Sequence, residues 1–407
     1  MGFSDRIDRL SSKAVLAISL LCAAACVGLV MLYITMNNGQ AAQGGVSASA
    51  AASAQPAPEP EPLPDPAVVK AEELLSAMST EQKIAQLLLV RADKMPQEEV
   101  IGYLSENGAG GLVLFADNFK GKDQQQVIEM MQCFQDAAGG DLLMCVDEEG
   151  GTVVRVSSNE KLRANRFKSP QDVFASGGMD AIRSDTHEKC VFLKSFGINV
   201  NFAPVADVVT SPSGFLYKRA FGRDAAQTAE YVSAVVGVME ENNMGSSIKH
   251  FPGYGNASGD THDGLVRSDV TAESLYSSDL VPFRAGIAAG ADSVMITHTI
   301  INAIDPNNPA SLSPAAVSLL REELGFDGVV ITDGLDMGAI EKFCGTQDPC
   351  VMALSAGADM MCTPTDCRAS YNALLAAVND GTISAERLDE SVLRILIWKV
   401  RLGLYDI

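Results

Sequence analysis

Two segments of this 407-residue chain carry the residue types that proton transfer and nucleophilic attack require. The segment 249–253 has the sequence Lys-His-Phe-Pro-Gly, and Asp260 and His262 follow it in a glycine-containing stretch. An aspartate two residues from a histidine can orient and charge the imidazole, which titrates near neutral pH and therefore suits general acid–base catalysis. In the second segment, Asp333 lies two residues after the apolar run 329–331. A carboxylate in that position is a candidate nucleophile.

Three further polar clusters also follow apolar runs. They are the segment 147–151, with Arg155 shortly after it, the segment 219–224, which carries two arginines, and the pair Thr297-His298. Each has an ordinary structural interpretation as well. Three acids in a row are typical of a solvated turn, an arginine of a surface ion pair, and a single histidine at a strand end of a structural residue. Asp333 has such an interpretation too, as a helix-capping or turn aspartate. Five clusters at successive strand ends nevertheless favour one shared site.

The elements that would position these clusters alternate between short apolar runs and longer helical patterns. No two-residue Asn-Gly or Asp-Gly hairpin joins neighbouring runs, so the pattern predicts parallel strands connected by helices. Eight such units favour a (β/α)8 TIM-type barrel of the α/β class, whose active site lies at the carboxyl ends of its strands. A doubly wound open sheet is the alternative, although Gly-x-Gly-x-x-Gly is absent after the first run. The eight predicted strands are 87–90, 111–115, 142–146, 198–203, 246–248, 293–296, 328–331 and 359–362.

The N-terminal part of the chain has a different composition. Residues 14–34 are almost wholly apolar and long enough to cross a bilayer, which predicts a transmembrane signal-anchor after a basic cytoplasmic segment, 1–13. Cleavage or lipidation of this segment stays open. Residues 35–67 are rich in Ala, Ser and Pro and predict a disordered linker or extended stalk. One catalytic domain is then expected over 68–407, outside the cytoplasm, or secreted if the anchor is cleaved.

Composition limits the partners of the protein. The formal net charge of -21 disfavours nucleic acid, because an acidic surface repels phosphate backbones. No C-x-x-C pattern indicates a zinc site, and no metal or other cofactor is expected. Seven cysteines follow the linker. They predict either short-loop disulfides between Cys344 and Cys350 and between Cys362 and Cys367, or buried thiols throughout.

Five motifs of the chain stand in a specific order and spacing. They are Asp147-x-Glu149-Gly150-Gly151, Arg219-x-Phe221-Gly222, Lys249-His250-Phe251-Pro252-Gly253, Asp260-x-His262 and Thr332-Asp333-x-Leu335-x-Met337. Together they resemble the motifs of glycoside hydrolase family 3, most closely those of its exo-β-N-acetylglucosaminidases. The resemblance covers about residue 68 to the C-terminus, and it implies a barrel and retaining hydrolysis that releases terminal GlcNAc, classically from peptidoglycan fragments.

Carried over by position, the resemblance implies that Asp333 is the nucleophile and His262 the general acid/base, with Asp260 as its partner. The family's sugar-binding positions fall on Asp147, Arg155, Arg219, Lys249 and His250. The chain departs from the family at two places: it has Tyr254 and Asn256 in the usual Gly-His-Gly-Asp, and Gly334 in place of the common second aspartate. A β-glucosidase, a glycoside phosphorylase or a non-catalytic sugar-binding module are the alternatives.

Overall fold

Eight parallel strands form one sheet that curls into a nearly closed barrel in the computed structural model, which describes residues 65–254 and 264–407. A separate two-stranded sheet pairs Arg267–Ser268 with Ile300–Ile301. In chain order the strands are β1 Leu88–Arg91, β2 Gly111–Leu114, β3 Leu143–Val146, β4 Val200–Asn201, β5 Gly245–Phe251, β6 Arg267–Ser268, β7 Ser293–Ile296, β8 Ile300–Ile301, β9 Val329–Thr332 and β10 Met361–Cys362.

The barrel follows the order β10-β1-β2-β3-β4-β5-β7-β9. A parallel bridge between Ile331 and Met360 joins the two ends of the sheet, and the Thr332 amide donates a hydrogen bond of 3.0 Å to the Met360 carbonyl. All eight predicted strands are confirmed, and the ring excludes the open doubly wound alternative. The pair β6 and β8 was not predicted.

Helices cover the outside of the barrel. The apolar face of each helix packs against the outward-facing apolar side chains of the strands, and this contact removes both from water. Several begin at a side-chain cap: Asp224 accepts a hydrogen bond of 2.9 Å from the Gln227 amide. The helix that follows β3 is interrupted at Gly177 and Gly178. The main helices are Pro66–Ala77, Thr80–Gln86, Gln97–Asn107, Gln124–Ala138, Pro170–Lys194, Ala225–Glu241, Leu280–Ala288, Pro314–Ser318, Gly338–Cys344, Pro349–Ala356, Cys367–Asn379 and Ala385–Arg401.

The folded domain begins slightly earlier than predicted. Pro66 and Ala67, assigned above to the linker, form the first turn of a helix, and the carboxylate of Asp65 caps it by accepting from the Ala67 amide at 2.8 Å. Arg401 of the last helix contacts the same carboxylate at 2.8 Å. The predicted boundary is therefore wrong by two residues. The predicted segments 1–13 and 14–34, and the linker up to residue 64, lie outside the described residues.

Among residues 65–254 and 264–407, none of the helices combines the length and the hydropathy that crossing a bilayer requires. All seven cysteines of this part of the chain are free thiols. The disulfide alternative is therefore wrong in this structure, and so is burial of all the thiols, because Cys133 is exposed. Burial raises the pKa of Cys344 and of Cys367 to about 11.

Candidate active site

A cavity of about 260 Å³ opens among the loops that follow the barrel strands. Six of the eight predicted site residues line it, although their strands are far apart in the sequence. The other two, Asp260 and His262, lie outside the described residues. The predicted residues at the cavity are Asp147, Arg155, Arg219, Lys249, His250 and Asp333.

A network of ion pairs forms one wall of the cavity. The Nζ atom of Lys249, whose side chain is 2% exposed, lies 2.6 Å from Asp147 Oδ1 and 2.7 Å from Glu149 Oε1. Arg219 donates two hydrogen bonds to the carboxylate of Glu149, at 2.7 and 3.0 Å. Arg155 contacts Asp147 at 3.2 Å. The wall therefore presents fixed donors and acceptors of the kind that hold sugar hydroxyls in place.

The two carboxylates of this network are strongly acidic. Burial by itself would raise the pKa of Asp147, but Lys249 and then Arg155 outweigh that effect and hold it well below its ordinary value. Burial also opposes ionisation of Glu149, and Arg219 and Lys249 overcome it and lower its pKa to about 2. Both groups are therefore ionised at neutral pH.

The acidic run after β3 is not a solvated turn, so that alternative is wrong. Glu148 is fully buried and accepts hydrogen bonds of 2.8 Å from the amides of Arg155 and Val156, together with one from the Ser157 hydroxyl. It thereby fixes the loop that carries Arg155. Gly150 has a φ of 102°, and a Cβ there would lie 2.1 Å from the Lys168 carbonyl oxygen, so only glycine fits.

His250 is held by Asp207, which is not among the predicted site residues. Its Nδ1 atom lies 2.8 Å from Asp207 Oδ2, and its Nε2 atom lies 3.3 Å from Arg219 Nη2. The same aspartate accepts from the His250 amide at 3.1 Å and from the Tyr254 amide at 2.6 Å. Asp207 is 1% exposed. It therefore fixes both the imidazole of His250 and the start of the loop that leads to residues 255–263.

Asp333 lies directly after β9 and lines the same cavity. Its carboxylate accepts a hydrogen bond of 2.8 Å from the Gly334 amide. Burial opposes its ionisation, but His250, His298 and this amide together lower its pKa below the ordinary value. The fully buried His298 supports the turn, with Nε2 placed 2.9 Å from the Gly334 carbonyl oxygen and Nδ1 2.7 Å from the Ser311 hydroxyl. An ionised carboxylate in a sugar-sized cavity can act as a nucleophile.

Asp336, the neighbouring acid, has different surroundings. One of its oxygens lies 2.5 Å from Arg91 Nη1, and the other accepts a hydrogen bond of 3.0 Å from the Thr363 hydroxyl. These contacts also explain the glycine at position 334. A Cβ on Gly334 would lie 2.9 Å from Asp336 Oδ1 and 3.1 Å from Thr363 Oγ1. The space for a side chain at position 334 is therefore taken by Asp336 and Thr363.

Residues 79–397 match the family model described as the glycosyl hydrolase family 3 N terminal domain. The chain belongs to this family. It is 30% identical over 334 residues to β-hexosaminidase LpqI of Mycobacterium tuberculosis, covering 79% of this chain and 83% of that protein. An "uncharacterized secreted glycosyl hydrolase" of Arthroderma benhamiae is 29% identical, with 76% and 89% covered.

Solved structures give the same family. A glycoside hydrolase family 3 β-N-acetylglucosaminidase from Paenibacillus sp. str. FPU-7 superimposes with a TM-score of 0.75 at 33% identity. The match covers 81% of this chain and 63% of the Paenibacillus chain. Family membership makes this protein a glycoside hydrolase, and two of the relatives named above are a β-hexosaminidase and a β-N-acetylglucosaminidase.

Proposed function

We propose that the protein is a retaining exo-β-N-acetylglucosaminidase that releases terminal GlcNAc by double displacement. One observation carries the proposal: the ionised carboxylate of Asp333 shares a cavity with the buried network of Asp147, Lys249 and Arg219. The first supplies an attacking group and the second supplies contacts to a sugar ring. The β-hexosaminidase and β-N-acetylglucosaminidase relatives support the choice of amino sugar.

In the proposed mechanism, Asp333 attacks the anomeric carbon and forms a covalent glycosyl-enzyme while the glycosidic bond breaks. His262 protonates the leaving oxygen in this step and then removes a proton from the water that hydrolyses the intermediate. Asp260 orients and charges the imidazole of His262. Asp147, Arg155, Arg219, Lys249 and His250 bind the sugar.

Turnover of a chromogenic β-N-acetylglucosaminide tests the proposal most simply, with the matched β-glucoside and Asp333→Asn as controls. We expect the wild-type protein to turn over the N-acetylglucosaminide faster than the glucoside, and the variant to turn over neither. Faster turnover of the glucoside would favour a β-glucosidase. A sugar phosphate formed only when phosphate is added would favour a phosphorylase. Binding of GlcNAc without turnover of either substrate would favour a non-catalytic sugar-binding module.

The proposal extends to location and substrate source. A signal-anchor over 14–34 would hold the barrel outside the cytoplasm on the linker that follows, where peptidoglycan fragments are available as substrates. A relative whose name includes "secreted" supports export. Fractionation of expressing cells, with N-terminal sequencing of the exported protein, tests this part. Membrane-bound protein that retains residues 14–34 supports the anchor, soluble exported protein that starts after them indicates cleavage, and protein confined to the cytoplasm contradicts export.

A further inference from the structure

We propose that Phe215 forms an aromatic platform at the mouth of the cavity and stacks against the sugar ring of the aglycone, the part of the substrate that leaves. This inference rests on the proposed function, because it assigns the second subsite of the same site. It predicts that the preferred substrate is a glycan in which the leaving group is another sugar ring.

The first support is the exposure of Phe215. Its side chain lines the cavity and is 48% exposed, whereas the chain on both sides of it is anchored. Leu216 and Ala220 are buried in a small apolar cluster with Val209. A Cβ on Gly214 would lie 2.5 Å from Val209 Cγ1, so the backbone approaches this cluster closely. A well-packed loop therefore presents an apolar ring to solvent at the edge of a polar site.

The second support is the residue that backs the ring. Phe215 stacks on Tyr254, with ring centroids 5.8 Å apart and planes inclined by 30°. Tyr254 is 4% exposed, and its amide donates to Asp207, the same carboxylate that holds His250. The platform is thus tied to the ion-pair wall of the cavity. Tyr254 is also one of the positions at which this chain departs from the family's usual Gly-His-Gly-Asp motif. The residue that supports Phe215 therefore differs from the one that is usual in the family.

The third support is the size of the cavity. At about 260 Å³ it lies just below the usual range of roughly 300–1,000 Å³ for small-molecule pockets, so it suits a single sugar ring. In exo cleavage the terminal sugar occupies the cavity, and the next residue of the glycan must lie at the mouth. A sugar ring presents a C–H face to the electron-rich face of an aromatic ring, a contact that buries apolar area on both sides.

Kinetics with two aglycones tests the platform. The probes are the β1,4-linked disaccharide of GlcNAc and methyl β-N-acetylglucosaminide, and the measured quantity is the ratio of their kcat/KM values. Phe215→Ala is expected to lower this ratio five- to tenfold, and Phe215→Trp to restore it to within twofold. Tyr276→Ala removes an aromatic ring that is 41% exposed away from the cavity and is the matched control. A ratio changed less than twofold by Phe215→Ala, or lowered equally by the control, overturns the proposal.

Binding without turnover separates the platform from the proposed function. In an Asp333→Asn background, calorimetry compares the dissociation constants of GlcNAc and of the disaccharide. The affinity gained from the second ring is expected to fall five- to tenfold when Phe215 becomes Ala. If that gain is lost while the wild-type protein turns over no N-acetylglucosaminide, the proposed function fails and the platform stands. If the gain is unchanged, or if the second ring adds no affinity, the platform fails even in an active enzyme.

Discussion

Replacing Glu149 by Gln removes one negative charge from the centre of the ion-pair wall while keeping the shape of the side chain. Arg219 would then lose its ion pair with this carboxylate, and Lys249 would keep its contact with Asp147, which also pairs with Arg155. A buried cation that loses its partner cannot recover its hydration, so breaking such a pair destabilises strongly. We expect Glu149→Gln to lower the free energy of unfolding substantially at neutral pH.

Two independent considerations give the size of this decrease in the free energy of unfolding. Removing one partner of a buried ion pair typically costs about 3–5 kcal/mol. The pKa of Glu149 falls from 4.5 to about 2 in the folded protein, and at 1.36 kcal/mol per unit this corresponds to about 3 kcal/mol. Because the folded pKa lies below the unfolded one, this stabilisation is complete above pH 4.5 and is lost as the pH falls towards 2. The wild-type protein and Glu149→Gln should therefore differ less in their free energies of unfolding at low pH. By pH 3 the difference should be about half of its value at pH 7.

Denaturant unfolding of both proteins at pH 7, 5, 4 and 3 provides the assay. Glu129→Gln is the control, because Glu129 is exposed on the helix Gln124–Ala138 and accepts a hydrogen bond of 2.9 Å from the exposed side chain of Gln125. It should change the free energy of unfolding by less than about 0.5 kcal/mol. A similarly small effect of Glu149→Gln at pH 7, or a large effect that persists unchanged at pH 3, would refute the reasoning.

Four further single variants, one of them also combined with a second substitution, test the catalytic loops. His262→Ala should slow hydrolysis of a substrate with a poor leaving group by about 10²–10⁴-fold, and Asp260→Ala should slow it less. A substrate with a good leaving group should be partly spared in both variants, and normal activity of His262→Ala on the poor-leaving-group substrate would contradict the proposed role of His262. Gly334→Asp should lower the melting temperature and the activity, because the new side chain collides with Asp336, at a cost of about 1–3 kcal/mol. An added Asp336→Ala should recover part of the loss, and an unchanged melting temperature of the single variant would argue against the collision. His298→Ala should reduce kcat by about 10²-fold through displacement of the Asp333 turn, with KM changed less than threefold; equal changes in kcat and KM would contradict a positioning role.

The barrel could be predicted because buried parallel strands are short continuous apolar runs, and eight such runs alternate with helical patterns. The cavity residues could be predicted because strand ends in a barrel converge on one rim. The linker boundary was wrong by two residues although its signal was present: Asp65 followed by Pro66 is a typical cap and first residue of a helix.

The roles of the supporting residues could not be predicted, since they depend on pairs that are distant in the sequence. Asp207 contacts His250 across 43 residues, and Arg91 contacts Asp336 across 245. Glu148 and Glu149 belong to an acidic run that is typical of a solvated turn, and only the loop that folds over them, together with Lys249, shows that they are buried. Local sequence patterns predict where a residue lies along a strand or loop. Which charged side chains form ion pairs depends on the three-dimensional packing of segments that are distant in the sequence.

Covalent labelling tests the central claim, the nucleophilic role of Asp333, most directly. A slow fluorinated N-acetylglucosaminyl donor should accumulate as a glycosyl-enzyme, because it is attacked faster than the intermediate is hydrolysed. Peptide mass spectrometry should then find one modified residue, Asp333, and Asp333→Asn should show neither label nor turnover while unfolding like the wild-type protein. A label on Asp336, or release of a product with inverted anomeric configuration, would contradict the account.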